Sequence, residues 1–138
     1  MTTAVKEKTK VSLKKVGYVI LYVKDTKKAV PFYRDTLGIP VRMDEHGWVE
    51  LETVGFTLAL HGCEGKMKSL PETAPTVVFQ VPDIRAAHMA LKEQGLKLKA
   101  LNKVCEFGDQ VGLSGEFNDP DGNRLSVYGT VAKAEWKS

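Results

Sequence analysis

Two periodicities alternate along the chain. Val16 to Val23 and Thr76 to Val81 are rich in β-branched and aromatic residues and read as strands. Each is followed by an aspartate at the position of a helix N-cap (Asp25, Asp83), about a dozen residues of helical pattern, and a glycine placed to end the helix (Gly38, Gly95). The spacing predicts helices over Thr26 to Leu37 and Ile84 to Gln94. Pro31 conflicts with the first of these, because proline beyond the first turn removes a backbone hydrogen bond, so a kink or a late start is expected there. Behind each helix the pattern returns to period two. Trp48 to Glu52 and Phe56 to His61 are joined by a Val54-Gly55 turn, while Leu96 to Leu101 and Ser114 to Phe117 lead through Asn118-Asp-Pro-Asp-Gly-Asn123 into Arg124 to Tyr128.

The segment from Val16 to Ile39 thus repeats as the segment from Ala74 to Leu98, with Asp25 falling on Asp83. The expected fold is α+β, two βαβββ modules in one domain over residues 14–130: module one at 14–62, a linker at 63–74 rich in Gly, Lys and Pro, and module two at 75–130. Residues 1–13 read as a basic tail and 131–138 as a second tail.

Strand alternation assigns the faces. Val19, Leu21 and Val23, with Val77, Phe79 and Val81, are uniformly aliphatic or aromatic and should lie under the helices. The opposite face then carries Tyr18, Tyr22, Trp48, Glu50, Glu52, Thr57, Ala59, His61, Gln80, Arg124, Ser126 and Tyr128. That mixture of aromatic and polar groups has the character of a ligand cleft.

Composition narrows the picture only a little. The chain has 138 residues, 43% of them hydrophobic and 27% charged, which suits one globular core and excludes collagen-like or disordered classes. Five lysines and one glutamate within residues 1–15 account for the whole net charge of +3, leaving the remainder about neutral. That arm lacks interleaved aromatics, so it reads as a solvated tail, with no nucleic-acid partner. No apolar run is long enough to span a bilayer and the amino-terminal residues are polar, from which no membrane partner and a cytoplasmic location are expected. Cys63 and Cys105 lack metal-type spacing and read as free thiols.

The pairing of Phe32-Tyr-Arg-Asp-Thr-Leu-Gly38 with Phe117-Asn-Asp-Pro-Asp-Gly-Asn-Arg-Leu125 resembles the vicinal oxygen chelate superfamily, which includes glyoxalase I, bleomycin-resistance proteins, fosfomycin-resistance thiol transferases and extradiol dioxygenases. The resemblance implies sheets curled round a cleft and completed in a homodimer. It also implies a metal held by His, Gln or Glu at four strand positions, which here are Tyr18, Ala59, Thr76 and Ser126. None of these is a usual ligand, because a divalent ion of the zinc, nickel, manganese or iron kind requires imidazole, carboxylate or thiolate donors. The expected function is therefore metal-independent binding of a small, partly aromatic molecule, with no cofactor. Tyr18, Tyr22, Trp48, Glu52, Gln80, Arg124, Ser126 and Tyr128 are the candidate ligand-binding residues.

Two rivals stand beside this reading. In the first, His61 acts as general base with Glu50 beside it, or His61 with Glu50 or Glu52 holds a relocated metal, giving a glyoxalase-like or dioxygenase-like enzyme. In the second, the paired modules are a dimeric interaction scaffold. His88 is expected to pack a helix and His46 to sit in a hairpin or loop.

Overall fold

The structure is a computed structural model that describes residues 11–136. The expected tail therefore lies largely outside the described residues, and its last part, Val11 to Leu13, is exposed. The first module comprises β1 (Tyr18–Val23), α1 (Thr26–Pro31), a π-helical turn (Phe32–Thr36), β2 (Val41–Glu45), β3 (Trp48–Leu51) and β4 (Thr57–Gly62). The second comprises β5 (Val77–Gln80), α2 (Ile84–Glu93), β6 (Asn102–Phe107), β7 (Gln110–Asn118) and β8 (Arg124–Ala132), followed by a 3-10 turn (Lys133–Glu135). The sheets have the orders β1-β4-β3-β2 and β5-β8-β7-β6. These are one topology used twice, with β1 parallel to β4 and β5 parallel to β8. The internal repeat is thus a structural repeat.

The caps form as the sequence implies. Asp25 accepts from the Lys27 amide at 2.9 Å and Asp83 from the Ala86 amide at 3.0 Å, satisfying first-turn donors that have no helical partner. Pro31 does not delay the first helix, which begins at Thr26 directly after its Asp25 cap. The α-helix runs up to Pro31 and then widens, with the Leu37 amide reaching back five residues to the Phe32 carbonyl at 3.0 Å. A π turn admits the extra residue at a point where proline has no amide to donate.

Alternation in β1 is regular: Tyr18, Ile20 and Tyr22 are exposed, whereas Val19, Leu21 and Val23 pack on the core. Val77 and Phe79 do the same in β5 while Val78 and Gln80 are exposed. One apolar cluster serves both modules, from Val49, Leu51, Leu58 and Leu60 to Val111, Leu113, Leu125 and Val127. His46 and Gly47, both with positive φ (45° and 77°), form the two-residue turn of the β2–β3 hairpin, between the paired Glu45 and Trp48.

Two expectations are corrected. Leu96 to Leu101 is not a strand, because Leu96, Leu98 and Leu101 turn inward onto the core; the strand paired with β7 is β6, a few residues later. The stretch from Val131 onward is not a free tail either. β8 continues to Ala132, Val131 and Trp136 pack against the core, and Arg85 lies over the Trp136 ring at 5.8 Å while donating to the Glu135 carbonyl.

The resembling motif turns out to join the modules. Tyr33, fully buried, donates its hydroxyl proton to Asp119 Oδ2 at 2.6 Å, across 86 residues of sequence. Asp119 also accepts from the amides of Asp121 (2.9 Å) and Asn123 (2.8 Å) and from the Asn123 side chain (2.8 Å). The same Asn123 side chain donates to the Tyr22 carbonyl, and Asp121 accepts from the Lys24 amide. The Asn118-to-Asn123 loop of one module is thus clamped to the strand and helix of the other.

Candidate functional site

Register brings the aromatic residues of the first sheet together. His61 on β4 lies between Tyr22 on β1 and Trp48 on β3, and in the next rank Ala59 lies between Ile20 and Glu50. The rings form a continuous row. Tyr22 and His61 are 5.4 Å apart by centroid, His61 and Trp48 are 5.9 Å apart edge-on, and Trp48 and Tyr18 are 6.2 Å apart. Tyr18 and Trp48 meet diagonally over Ala59, which accounts for an alanine of 0% exposure on the otherwise open face. Tyr18 and Tyr22 are half exposed, at 55% and 51%.

Glu50 is held beside this row. Its Oε2 accepts from the Trp48 indole nitrogen at 3.0 Å and its Oε1 from Arg42 Nη2 at 2.9 Å. Arg42 Nη2 also donates to Thr57 Oγ1 at 2.6 Å. The indole hydrogen bond first, and the guanidinium second, hold the Glu50 carboxyl below its usual range. Glu50 therefore fixes the plane of Trp48. No hydrogen bond joins it to His61 among the described residues. Arg42 escaped sequence reasoning because strict alternation gives β2 no reason to turn it toward Glu50. The pairing of β2 with β3 shifts register between Val41 and Met43, leaving Arg42 as the bulged residue, and nothing in the local sequence marks that bulge.

The second sheet carries a different surface. Ser126, only 3% exposed, shares a hydrogen bond with Ser114 at 2.8 Å. Tyr128 lies 3.5 Å from the Cys105 sulfur, and that sulfur, followed by burial, raises the phenol above its ordinary value of 10. Cys105 belongs to the edge strand β6, opposite Gly112, and a β-carbon at Gly112 would fall 2.5 Å from both the sulfur and the tyrosine oxygen. Arg124 donates to the Pro71 carbonyl at 2.9 Å. Gln80 and Glu52 are exposed, and no side-chain hydrogen bond is formed by either among the described residues. The structure thus gathers Tyr18, Tyr22, Trp48, Glu50 and His61 into one array and places Ser126, Tyr128 and Arg124 on the other sheet.

The four positions at which the resemblance implies metal ligands, Tyr18, Ala59, Thr76 (just ahead of β5) and Ser126, do not fit a divalent ion here. Tyr18 is engaged with Trp48, Ala59 offers a methyl group, and the Ser126 hydroxyl is bonded to Ser114. Among the described residues no three His, Cys, Asp or Glu side chains converge closely enough to hold a metal ion. Nor is any described helix long and apolar enough to cross a membrane.

Two βαβββ modules, one buried clamp between them and an open aromatic face agree with a family model that spans residues 15–127, that of the glyoxalase/bleomycin resistance protein/dioxygenase superfamily. The chain belongs to this superfamily. Protein YetH of Bacillus subtilis (strain 168) is 27% identical over 117 residues, covering 80% of this chain and 94% of its own. Among solved structures, TnmS3, an antibiotic binding protein from Streptomyces sp. CB03234, superposes with a TM-score of 0.69 at 21% identity, covering 88% of this chain and all of its own (100%). A lactoylglutathione lyase from Agrobacterium tumefaciens superposes with a TM-score of 0.67 at 17% identity, covering 86% and 95%. A binding protein and a lyase therefore share this superfamily fold, and the choice between such functions rests on side chains.

Proposed function

We propose that the protein binds a small molecule carrying a planar ring against the row Tyr18, Trp48, His61 and Tyr22, without a metal at Tyr18, Ala59, Thr76 and Ser126. The exposed row beside a carboxylate that already has its partners is the observation that carries this reading. Rings supply large contact area at low entropic cost, and Glu50 holds Trp48 in one orientation. Binding is favoured over acid–base chemistry because Glu50, the carboxylate expected to assist His61, is engaged by Trp48 and Arg42, while His61 packs on Trp48 and Tyr22. Glu52 is the carboxylate left to meet a cationic group on such a guest.

Calorimetric titration with 2-naphthalenemethanol and with quinoline is the test. Saturable binding is expected, with Trp48→Ala weakening it about tenfold or more, the range a lost aromatic stack represents. Absence of binding by both probes, or binding indifferent to Trp48, overturns the reading.

We further propose that a second copy roofs this face and that the protein works as a homodimer in the cytoplasm. Support comes from the apolar exposure of Ile20 (41%), between the exposed tyrosines of β1, and of Val78 (54%) on β5, and from β1 and β5 lying at sheet edges. Light scattering at tens of micromolar should report about twice the chain mass of 15.2 kDa. A mass of one chain would count against the dimer.

A further inference from the structure

At the Thr76 end of the second sheet, a pocket of about 540 Å³ is lined by Glu72, Thr76, Lys97, Lys99, Glu116, Asn118 and Arg124, with Phe117 and Leu125. Three elements build it. Leu96 and Leu98 pack on the core while Lys97 and Lys99 between and beside them are exposed, and the Lys99 amide is tied to the Glu116 carbonyl at 3.0 Å. Arg124 opens β8 opposite Asn118, on the same side as Ser126 and Glu116. The linker then crosses close by, and the Pro71 carbonyl takes one Arg124 Nη2 hydrogen at 2.9 Å.

Charge in the pocket is unbalanced. Three cations face two carboxylates, and of these Glu116 meets Lys99 loosely, at 3.8 Å with both side chains more than half exposed. Lys97 makes no ion pair among the described residues, and Arg124 makes none either. The guanidinium is anchored through Nη2 alone, so Nε and Nη1 remain without a protein partner among the described residues. An anchored, planar guanidinium with free donors matches two oxygens of one oxyanion, and ammonium groups beside it add charge without imposing geometry. The amide of Asn118 is taken by the Gly122 and Asn123 carbonyls, so the cations carry the recognition.

We infer that this pocket is an oxyanion site, taking a carboxylate or phosphate group through Arg124, Lys97 and Lys99. The inference is independent of the aromatic row, which lies on the other sheet.

The test is an amide chemical-shift titration with inorganic phosphate and, separately, with succinate, each against sodium chloride at matched ionic strength. The expected result is saturable movement of the Thr76, Lys97 to Lys99 and Asn118 amides with at least one of the two anions and none with chloride. Saturation by phosphate alone identifies a phosphate-bearing partner; saturation by succinate identifies a carboxylate. Arg124→Gln should weaken binding about fivefold or more. Because that variant also loses the Pro71 contact, the exposed pair Lys97→Gln with Lys99→Gln serves as a second measure and should weaken binding similarly. Glu72→Gln removes a competing carboxylate and should tighten it. Shifts that follow ionic strength alone, or affinities unmoved by both cation-removing variants, overturn the site.

Discussion

Asp119→Ala should lower the unfolding free energy by about 3 kcal/mol or more, which for a domain of this size is roughly a 10 °C fall in Tm. The side chain is 4% exposed and accepts four hydrogen bonds, from Tyr33, Asn123 (twice) and Asp121. Each donor left buried without a partner costs about 1–3 kcal/mol, and alanine admits too little water to replace them all. Tyr33→Phe removes one of the four and should cost less, about 1.5–3 kcal/mol for a hydrogen bond to a charged group. Urea unfolding at neutral pH measures both, and an Asp119→Ala variant as stable as wild type would show that the loop does not clamp the modules.

Tyr33 adds a pH signature. Burial first, and then the negative charge of Asp119, push its phenol far above the ordinary value of 10. The folded-state value is the higher one, so this stabilisation is complete below pH 10 and declines as pH rises above it, where only the unfolded chain releases the proton. The wild type should therefore lose stability relative to Tyr33→Phe by about 1.4 kcal/mol per pH unit above 10. Parallel stability curves for the two proteins in that range would refute this.

Gly129→Ala should cost about 1–3 kcal/mol through overpacking alone. Gly129 lies on β8 beneath the first turn of α2, and a β-carbon there would fall 2.8 Å from Ile84 Cβ and 3.0 Å from the Val81 carbonyl oxygen. Ile84 is 1% exposed and begins the helix, and Val81 is backbone, so neither neighbour is a flexible tip that can swing aside. Gly112→Ala also meets close atoms, yet these are the ends of the Cys105 and Tyr128 side chains. It should cost less than Gly129→Ala. Thermal unfolding of the two variants decides the order, and the reverse order would mean that α2 yields more readily than the Cys105–Tyr128 contact.

Much of the architecture was legible before the structure because it is local. Period-two alternation in β1 and β5 names the residues under the helices, and the Asp25 and Asp83 caps and the repeat name the modules. The aromatic members of the site were legible for the same reason, since Tyr18, Tyr22, Trp48 and His61 follow from alternation alone. Arg42 was hidden by a bulge, and Leu96 to Leu101 misled because an inward-facing loop and a half-buried strand share an apolar pattern.

The chain by itself determined the paired strand-and-helix openings of the two modules, which face of β1 and β5 is apolar, and that Tyr, Ala, Thr and Ser stand at the four positions where the resemblance implies metal ligands; these depend on residue identity and on neighbours a few positions away. Only the tertiary structure decided that Tyr33 and Asp119 meet, that Glu50 is claimed by Trp48 and Arg42, and that Lys97, Lys99 and Arg124 share a pocket. Those contacts depend on the register of separate strands and on the docking of one module against the other. They join residues far apart in the chain, and no local pattern encodes such distances.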